Sequence, residues 1–265
     1  MPATAHATTA PLLAQLRISG ADARTFLQGQ LSNDMNLLKN DGFLRAGLHS
    51  PQGRVLALLQ LCSPGADEVV ALLPEEVAKL AAGALTRFVL RARVKIAVEP
   101  ADSALRALPG APASTLEGKI SAIAQGIAQV YAATSGQFVA QMLNLDCLDA
   151  ISFSKGCYTG QEVIARAHYR GRVKRRMQRF ATSGPLPLEP GAALTLGDGR
   201  SALLVDSVRL ADGSHEFLAV TGDADAIPPG EAADAPVTGS SSAAPATTAA
   251  PMIATRQLPL PYALP

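Results

Sequence analysis

One cysteine of this chain lies in a sequence setting that could support chemistry. Cys157 is bracketed by Gly156 and Gly160 and follows Lys155 by two positions. The glycines allow a sharp turn of the backbone, so we predict an exposed loop that presents the thiol to solvent. A neighbouring cation favours the thiolate, which is the form that attacks electrophiles and binds soft metals. We therefore predict that Cys157 is a reactive cysteine and that Lys155 lowers the pKa of its thiol.

The other two cysteines have apolar surroundings in the sequence. Cys62 ends the run LLQLC and Cys147 ends LNLDC, so we predict that both pack in the core. An odd number of cysteines in a chain of this size argues against a disulfide framework and for a reducing, cytoplasmic location. The four histidines show no metal-ligand spacing, so we predict no zinc site.

A strongly basic stretch follows the cysteine. We name residues 166–179 the basic segment, and no acid occurs between Glu162 and Glu189. Its cations are Arg166, Arg170, Arg172, Lys174, Arg175, Arg176 and Arg179. Such a segment could be a solvated strand face, or it could hold a polyglutamate tail, an acidic protein surface or RNA phosphates. The aromatic residues near it that could stack on bases are few, namely Tyr158, Tyr169 and Phe180, so nucleic acid ranks below the other partners.

The order of predicted elements indicates an α+β fold. Helices are predicted over 23–30 and 74–88, and strands over 54–61, 69–73, 91–98, 171–182 and 192–220. Asp22 is the predicted N-cap of the first helix. The Ala-, Pro- and Gly-rich stretch 100–121 marks a boundary. From Asp223 the composition turns to Ala, Pro, Thr and Ser without periodicity, so we predict a disordered and dispensable tail over 223–265.

Charge and hydropathy exclude several classes. The formal net charge is +1, so attraction to a polyanion has to come from local clustering. No uninterrupted run of about 18 apolar residues occurs, which argues against a membrane span. The first residues lack the basic and apolar regions of a secretion signal, and residues 1–16 contain no arginine or serine, so we expect neither export nor import into an organelle.

The residues around the cysteine carry a family resemblance. Lys155–Glu162, reading KGCYTGQE, continues as VIAR and resembles the signature of the YgfZ-type folate-binding proteins. Those proteins belong to the superfamily of the aminomethyltransferase, or T-protein, of the glycine cleavage system. The resemblance covers residues 11–222. Further matching segments are 26–34, 50–55, 90–96, 141–146 and 151–153.

The resemblance implies an α+β, aminomethyltransferase-like fold with two α+β subdomains around a central cleft. Residues 11–100 would form the first, folate-binding subdomain and 101–170 the second, which carries the motif. A small β-barrel-like domain would follow at 171–222. Tetrahydrofolate would bind in the cleft, and the resemblance implies the contacts Asn33, Asp34, Tyr158, Gln161, Glu162 and Arg166. Glu162 would accept hydrogen bonds from the pterin, although Glu162 and Arg166 could instead form only a surface ion pair across one helical turn.

The resemblance also implies a role in iron–sulfur cluster assembly or repair, with Cys157 offered to a cluster or to a cysteine of a scaffold or client protein. Since clusters use about four protein ligands, a cluster bound through Cys157 would share its ligands with a second molecule. The alternative is a folate-dependent aminomethyl transferase. The T-protein places a carboxylate after a Gly-Gly segment, but Gly53–Leu58 contains no acid here. The accessory role is therefore favoured, and the sequence leaves open whether a reaction is catalysed.

Overall fold

The computed structural model describes residues 10–39, 42–107, 110–171, 173–187, 189–222 and 250–265. The strands are β1 (Leu13–Ser19), β2 (Leu44–His49), β3 (Val55–Gly65), β4 (Glu68–Pro74), β5 (Lys95–Pro100), β6 (Arg175–Thr182), β7 (Ala193–Leu196), β8 (Ser201–Arg209), β9 (His215–Gly222), β10 (Met252–Ile253) and β11 (Arg256–Leu258). The helices are α1 (Ala23–Gln28), α2 (Glu75–Thr86), α3 (Ser103–Arg106), α4 (Leu116–Ala124) and α5 (Gln161–Tyr169), with 3₁₀ turns at Met35–Leu37 and Ala140–Leu143.

The first subdomain is a five-stranded antiparallel sheet with helices on one face. Its strand order is β2-β3-β4-β1-β5. α1 and α2 contribute Leu27, Val77 and Leu85 to a core that also contains Leu16 and Leu59 of the sheet. The helices and strands predicted for 11–100 are present, with ends shifted by a few residues. Asp22 occupies the N-cap position as predicted, but its carboxylate accepts a hydrogen bond from the Arg93 backbone at 2.8 Å and makes none to the helix.

The region between the two sheets contains helices and loops. Over the described part of 101–170 the structure has α3, α4, the second 3₁₀ turn and α5, and its β contact is the single bridge between Arg54 and Val139. The predicted α+β character of this subdomain is therefore not seen in these residues. Its composition explains this, since Ala, Gly and Pro are poor strand formers. The region shares one core with β3 and the second sheet, including Ile123, Phe138 and Val205.

The second sheet has six strands in the order β10-β7-β8-β9-β6-β11. Both of its faces are buried, since Phe217 and Ala219 of β9 enter one core cluster and Leu218 and Val220 enter the other. This double burial accounts for the continuous apolar run that predicted a strand there, because a strand covered on both faces does not alternate. The expected β structure after residue 171 is present.

The C-terminal segment, which we define as residues 250–265, joins the two edges of this sheet. β10 pairs with β7 at one edge, and β11 pairs with β6 at the other. Only Ala254 and Thr255 separate β10 from β11, a span of about 10 Å, so the sheet curls into a barrel-like form. Ile253 is buried in the barrel core.

The prediction of a disordered tail over 223–265 is therefore wrong for residues 250–265, because strand pairing and the burial of Ile253 hold them to the barrel. Residues 223–249 lie outside the described part of the chain. The barrel-like domain predicted over 171–222 includes the C-terminal segment as well. None of the helices in the described ranges has the length and apolar character needed to cross a membrane.

Candidate functional site

Cys157 lies at the surface of a loop within the region between the two sheets, residues 101–170, which we name the middle region. We name residues 154–160 the cysteine loop. Cys157 is exposed, whereas Cys62 is buried and Cys147 is half-buried. Burial raises the pKa of the thiols of Cys62 and Cys147, and Asp146 adds to this effect at Cys147. The predicted exposure of Cys157 is confirmed, while its reactivity stays a prediction.

Lys155 fastens the cysteine loop to the first subdomain. Its ammonium donates to the carbonyl oxygens of Gln28, Leu31 and Asn33 at 2.6, 2.7 and 2.8 Å. Burial lowers the pKa of Lys155 to about 8, and the charge of Asp34 acts in the opposite direction. An ammonium has three N–H donors, and these carbonyls use all three. Lys155 is therefore an anchor, and the predicted effect on the thiol rests on the proximity of the two residues in sequence.

Two more residues of the loop are seated against the first subdomain. The Tyr158 ring is 7% exposed and lies 6.4 Å from the ring of His49, and burial raises the pKa of Tyr158 to about 12. Gly160 has φ +82, and a Cβ added there would lie 2.5 Å from the carbonyl oxygen of Ser50. Only glycine satisfies both conditions. Cys157 thus stands exposed between anchors on either side.

The two predicted folate contacts of the first subdomain differ in what their side chains do. Asn33 is buried and donates through Nδ2 to the carbonyl oxygens of Arg45 and Asp149 at 2.8 and 2.7 Å, so it bridges the first subdomain and the middle region. Asp34 is half-buried, and a backbone hydrogen bond from Asn36 lowers its pKa. Asp34 Oδ1 already accepts hydrogen bonds from Gln28 and Asn36, so Asp34 can offer a ligand its second carboxylate oxygen, whereas both N–H groups of the Asn33 amide are occupied.

The remaining predicted contacts lie on α5, directly after the cysteine loop. Gln161 is half-buried, and both Glu162 and Arg166 are exposed. Among the ion pairs of the described residues there is none between Glu162 and Arg166. The simple surface pair expected as an alternative is therefore not formed. The structure brings Lys155, Tyr158 and Asp34 together at the contact between the cysteine loop and the first subdomain, which we name the seam. Glu162 and Arg166 lie on α5, which begins directly after the loop.

The basic segment divides into buried and exposed cations. Arg176 forms a buried bidentate pair with Asp146, with N···O distances of 3.0 and 2.9 Å. Arg179 pairs with Glu216 at 2.6 Å. Neither a solvated strand face nor a surface for an anionic partner therefore describes these two positions, because acids from other parts of the chain neutralise them. The exposed cations of the segment are Arg166, Arg170 and Lys174, and Arg172 lies outside the described residues.

Sequence reasoning missed His49, which lies under the cysteine loop. Its ring packs over Gly47, where an added Cβ would come within 2.4 Å of it. Burial lowers the pKa of His49 to about 4, and the nearby Gly47 backbone has a smaller, opposite effect on that pKa. Neither ring nitrogen has a hydrogen-bond partner in the structure. The only sequence signal was the turn Ser50–Gly53 that follows it. His49 is a neutral, unpaired polar side chain beneath Tyr158.

The sequence also gave no sign of a cavity of about 770 Å³ between α5 and the C-terminal segment. Cys147, His168, Arg176 and Tyr262 are among its lining residues. No group of three or more His, Cys, Asp or Glu side chains with metal-binding geometry occurs in the residues that the structure describes. The described walls of this cavity therefore contain no metal-binding cluster.

Comparisons with known proteins identify the relatives of this chain. It is 46% identical over 98 residues to the tRNA-modifying protein YgfZ of Serratia proteamaculans, a match that spans 35% of this chain and 29% of the relative. The protein of the same name from Escherichia fergusonii is 27% identical over 258 residues, which span 74% of this chain and 79% of the relative. No family model matches the chain.

A solved structure supports the fold. The aminomethyltransferase T of the glycine cleavage system from Bartonella henselae matches with a TM-score of 0.58 and 12% identity, over 83% of this chain and 79% of that one. At this identity the likeness concerns the fold alone. The alignment with the Escherichia fergusonii protein is 258 residues long but occupies only 74% of this 265-residue chain. The relative therefore has residues within the aligned span that this chain lacks. The chain is a homologue of the YgfZ proteins and has an aminomethyltransferase-like fold.

Proposed function

We propose that this protein is a tetrahydrofolate-binding accessory factor in iron–sulfur cluster assembly or repair, in which Cys157 is offered to a cluster or to a partner's cysteine. The relatives are named for tRNA modification, so we further propose that cluster-containing tRNA-modifying enzymes are among its clients. The proposal has two parts, a folate site and a presented thiol, and each can be tested separately.

The observation that carries the proposal is the presentation of Cys157. It is the exposed cysteine of the chain, and the buried anchors Lys155 and Tyr158 lie two residues before it and one residue after it. A side chain on a loop that is held at both sides keeps one position without being covered. A partner that approaches this face meets the sulfur first, because the anchors point inward to the first subdomain.

The donor set around the seam fits a folate. A pterin requires a carboxylate that faces adjacent N–H donors, and Glu162 on α5 is exposed and has no ion pair among the described residues. Arg166, one turn later, can bind the glutamate carboxylates of the folate. Asp34 and Gln161 complete the polar lining. We leave Asn33 out of this site because its amide is occupied by backbone carbonyls, and Tyr158 contributes the buried floor.

A cluster would be cargo in this scheme and not a resident cofactor. The thiol of Cys157 loses its proton when the sulfur binds iron, and one thiolate supplies one of about four ligands. The other ligands must come from the partner that brings or receives the cluster. A transfer factor gains from such incomplete coordination, because a cluster that is held through one protein ligand can leave again.

The transferase alternative has less support. The turn and strand over Gly53–Leu58 contain Arg54 as their ionisable residue, and its guanidinium donates to the carbonyl oxygen of Gln137. An aminomethyl transfer of the T-protein type requires a carboxylate at that place. Likeness of fold at 12% identity does not restore this group.

A complementation experiment tests the thiol part. In cells that lack the gene, the unmodified chain should restore the activity of cluster enzymes and the content of modified tRNA nucleosides, and Cys157→Ala should not. Cys147→Ser is the matched control and should restore both. Full restoration by Cys157→Ala would show that the loop is only structural.

Titration of the purified proteins with tetrahydrofolate tests the folate part. Cys157→Ala should bind as tightly as the unmodified chain, since the pterin is expected to contact carboxylate and backbone groups. Glu162→Gln should bind about tenfold more weakly through loss of the charged acceptor. Unchanged affinity of Glu162→Gln would remove α5 from the proposed folate site.

A further inference from the structure

Three aromatic rings form a cluster at the end of α5. Phe153 and His168 stack with centroids 3.8 Å apart and an interplanar angle of 15°. Tyr169 meets His168 edge-on at 4.8 Å and Phe153 at 6.1 Å. His168 is exposed and Tyr169 is 68% exposed, whereas Phe153 is half-buried and joins the stack to the core of the middle region. The two outer rings are therefore exposed and rest on a ring that packs against the core.

Exposed cations flank His168 and Tyr169 along the chain. Arg166, Tyr169 and Arg170 are three and four positions apart on α5 and its C-cap, so they share one face. Lys174 is also exposed and lies just before β6. The nearest acid along the chain is Glu162, one turn before Arg166, and the next after it is Glu189. Positive charge thus alternates with aromatic rings at this end of the helix.

The cavity of about 770 Å³ opens beside the cluster. His168 and Val173 line it, together with Tyr262 of the C-terminal segment. Its volume lies in the range of pockets that hold a small organic ring system. His168 therefore belongs both to the exposed stack and to the wall of a space that could receive an unstacked base.

We propose that this face binds single-stranded RNA, with bases stacked on Tyr169 and His168 and phosphates held by the exposed cations Arg166, Arg170 and Lys174. Base stacking on aromatic rings together with contacts between cations and phosphates is the usual way in which proteins bind unpaired strands. An acidic protein surface would need only the cations and would leave the rings without a function. The inference goes beyond the proposed function, because RNA binding here needs neither Cys157 nor bound folate, and Arg166 is the one residue that the two sites share.

On sequence alone, RNA ranks below folate and protein as a partner, because few aromatic residues near the basic segment could stack on bases. The structure shows that a different set of rings is available. Two of the three residues considered, Tyr158 and Phe180, are buried at 7% and 1% exposure. Only Tyr169 remains of that set. Phe153 and His168, which are far apart in sequence, complete the platform through the fold.

Fluorescence anisotropy with a short labelled single-stranded RNA at low salt tests the proposal. We expect the unmodified chain to bind, and Tyr169→Ala to weaken binding about tenfold through loss of one stacked base. Tyr169→Phe should bind like the unmodified chain, since it keeps the ring. Replacing Arg170 and Lys174 by Ser should weaken binding and reduce its dependence on salt concentration.

Matched controls on the first subdomain make the test specific. Phe88→Ala and Arg91→Ser remove an exposed ring and an exposed cation there and should leave RNA binding unchanged. Tight binding of duplex RNA, equal losses for the control variants, or an unaltered affinity of Tyr169→Ala would each overturn the proposal, as would no binding at low salt. Thermal unfolding of every variant confirms that the fold is retained, and tetrahydrofolate titration of Tyr169→Ala tells a failure here from a failure of the proposed function.

Discussion

The cysteine loop packs against the first subdomain and the C-terminal segment against the second sheet, but the two are held by different kinds of contact. The loop is held by specific side chains, with Lys155 on three carbonyl oxygens and Tyr158 over His49. The C-terminal segment is held by strand pairing at two sheet edges and by the burial of Ile253. The first kind of attachment requires particular residues, whereas the second requires only backbone groups and apolar volume.

This difference explains why the loop is visible in the sequence and the segment is not. It also separates the two regions energetically, because the anchors of the loop are few and strong and those of the segment are many and weak. Variants that remove one type of contact at a time should therefore affect the two regions differently, and the following predictions run from the largest expected effect to the smallest.

Removal of residues 250–265 should lower the free energy of unfolding by at least about 4 kcal/mol. Burial of Ile253, partial burial of Leu260 and several strand hydrogen bonds are lost together. Urea denaturation of the full and the shortened chain measures the effect. Within the segment, Ile253→Ala should be costly and Met252→Ala, which alters a side chain that is 73% exposed, nearly neutral. Unchanged stability of the shortened chain would mean that the tail is dispensable, as the sequence predicted.

Lys155→Met keeps most of the side-chain volume but leaves the carbonyl oxygens of Gln28, Leu31 and Asn33 without their donor, so it should lower the free energy of unfolding by about 3 kcal/mol. Cys157→Ala, two residues away, should be neutral within about 0.5 kcal/mol since the thiol is exposed. Equilibrium unfolding in urea compares the two variants. An equal cost for both would contradict the anchor. The rate of alkylation of Cys157 in Lys155→Met reports separately on the thiol: a slower reaction indicates the electrostatic role predicted from the sequence.

The sequence predicted both helices and three of the five strands of the first subdomain, together with the exposure of Cys157, because short apolar runs, one alternating segment and glycine brackets are local signals; it missed β1 and β2. It could not show that Lys155 turns inward, since an exposed and a buried lysine look alike without their partners. It could not separate Arg176 from Lys174 either, because the acid that neutralises Arg176 lies thirty residues earlier in the chain, at Asp146. The C-terminal strands were hidden for a similar reason, because pairing with β6 and β7 depends on edges that exist only in the fold.

Lowering the pH should reduce the free energy of unfolding, because His49, buried beneath the cysteine loop, resists protonation in the folded chain. Burial lowers the pKa of His49 from 6.5 to about 4, so the unfolded chain binds a proton between these values and the folded chain does not. Stability is therefore complete above pH 6.5 and falls as the pH approaches 4. Between pH 7 and pH 5 the loss should be about 2 kcal/mol, measured by urea denaturation at both values. In His49→Gln the loss of stability between pH 7 and pH 5 should be smaller. Burial also lowers the pKa of His215, but this contribution is the same in the unmodified chain and in the variant. An equal loss in both would place the proton elsewhere.

The smallest expected effect concerns Tyr262 of the C-terminal segment. Its hydroxyl donates to the carbonyl oxygen of Gly126 at 2.9 Å and accepts from Asn144 Nδ2 at 3.2 Å. Tyr262→Phe keeps the ring and should cost about 1 kcal/mol, because the Gly126 carbonyl loses its donor and Asn144 loses one of two acceptors while it keeps Met177. Gly126→Ala should cost more, since the added Cβ would lie 2.6 Å from that hydroxyl at a backbone φ of +66. A cost for Tyr262→Phe as large as that for Lys155→Met would show that the segment, like the loop, depends on a single side chain.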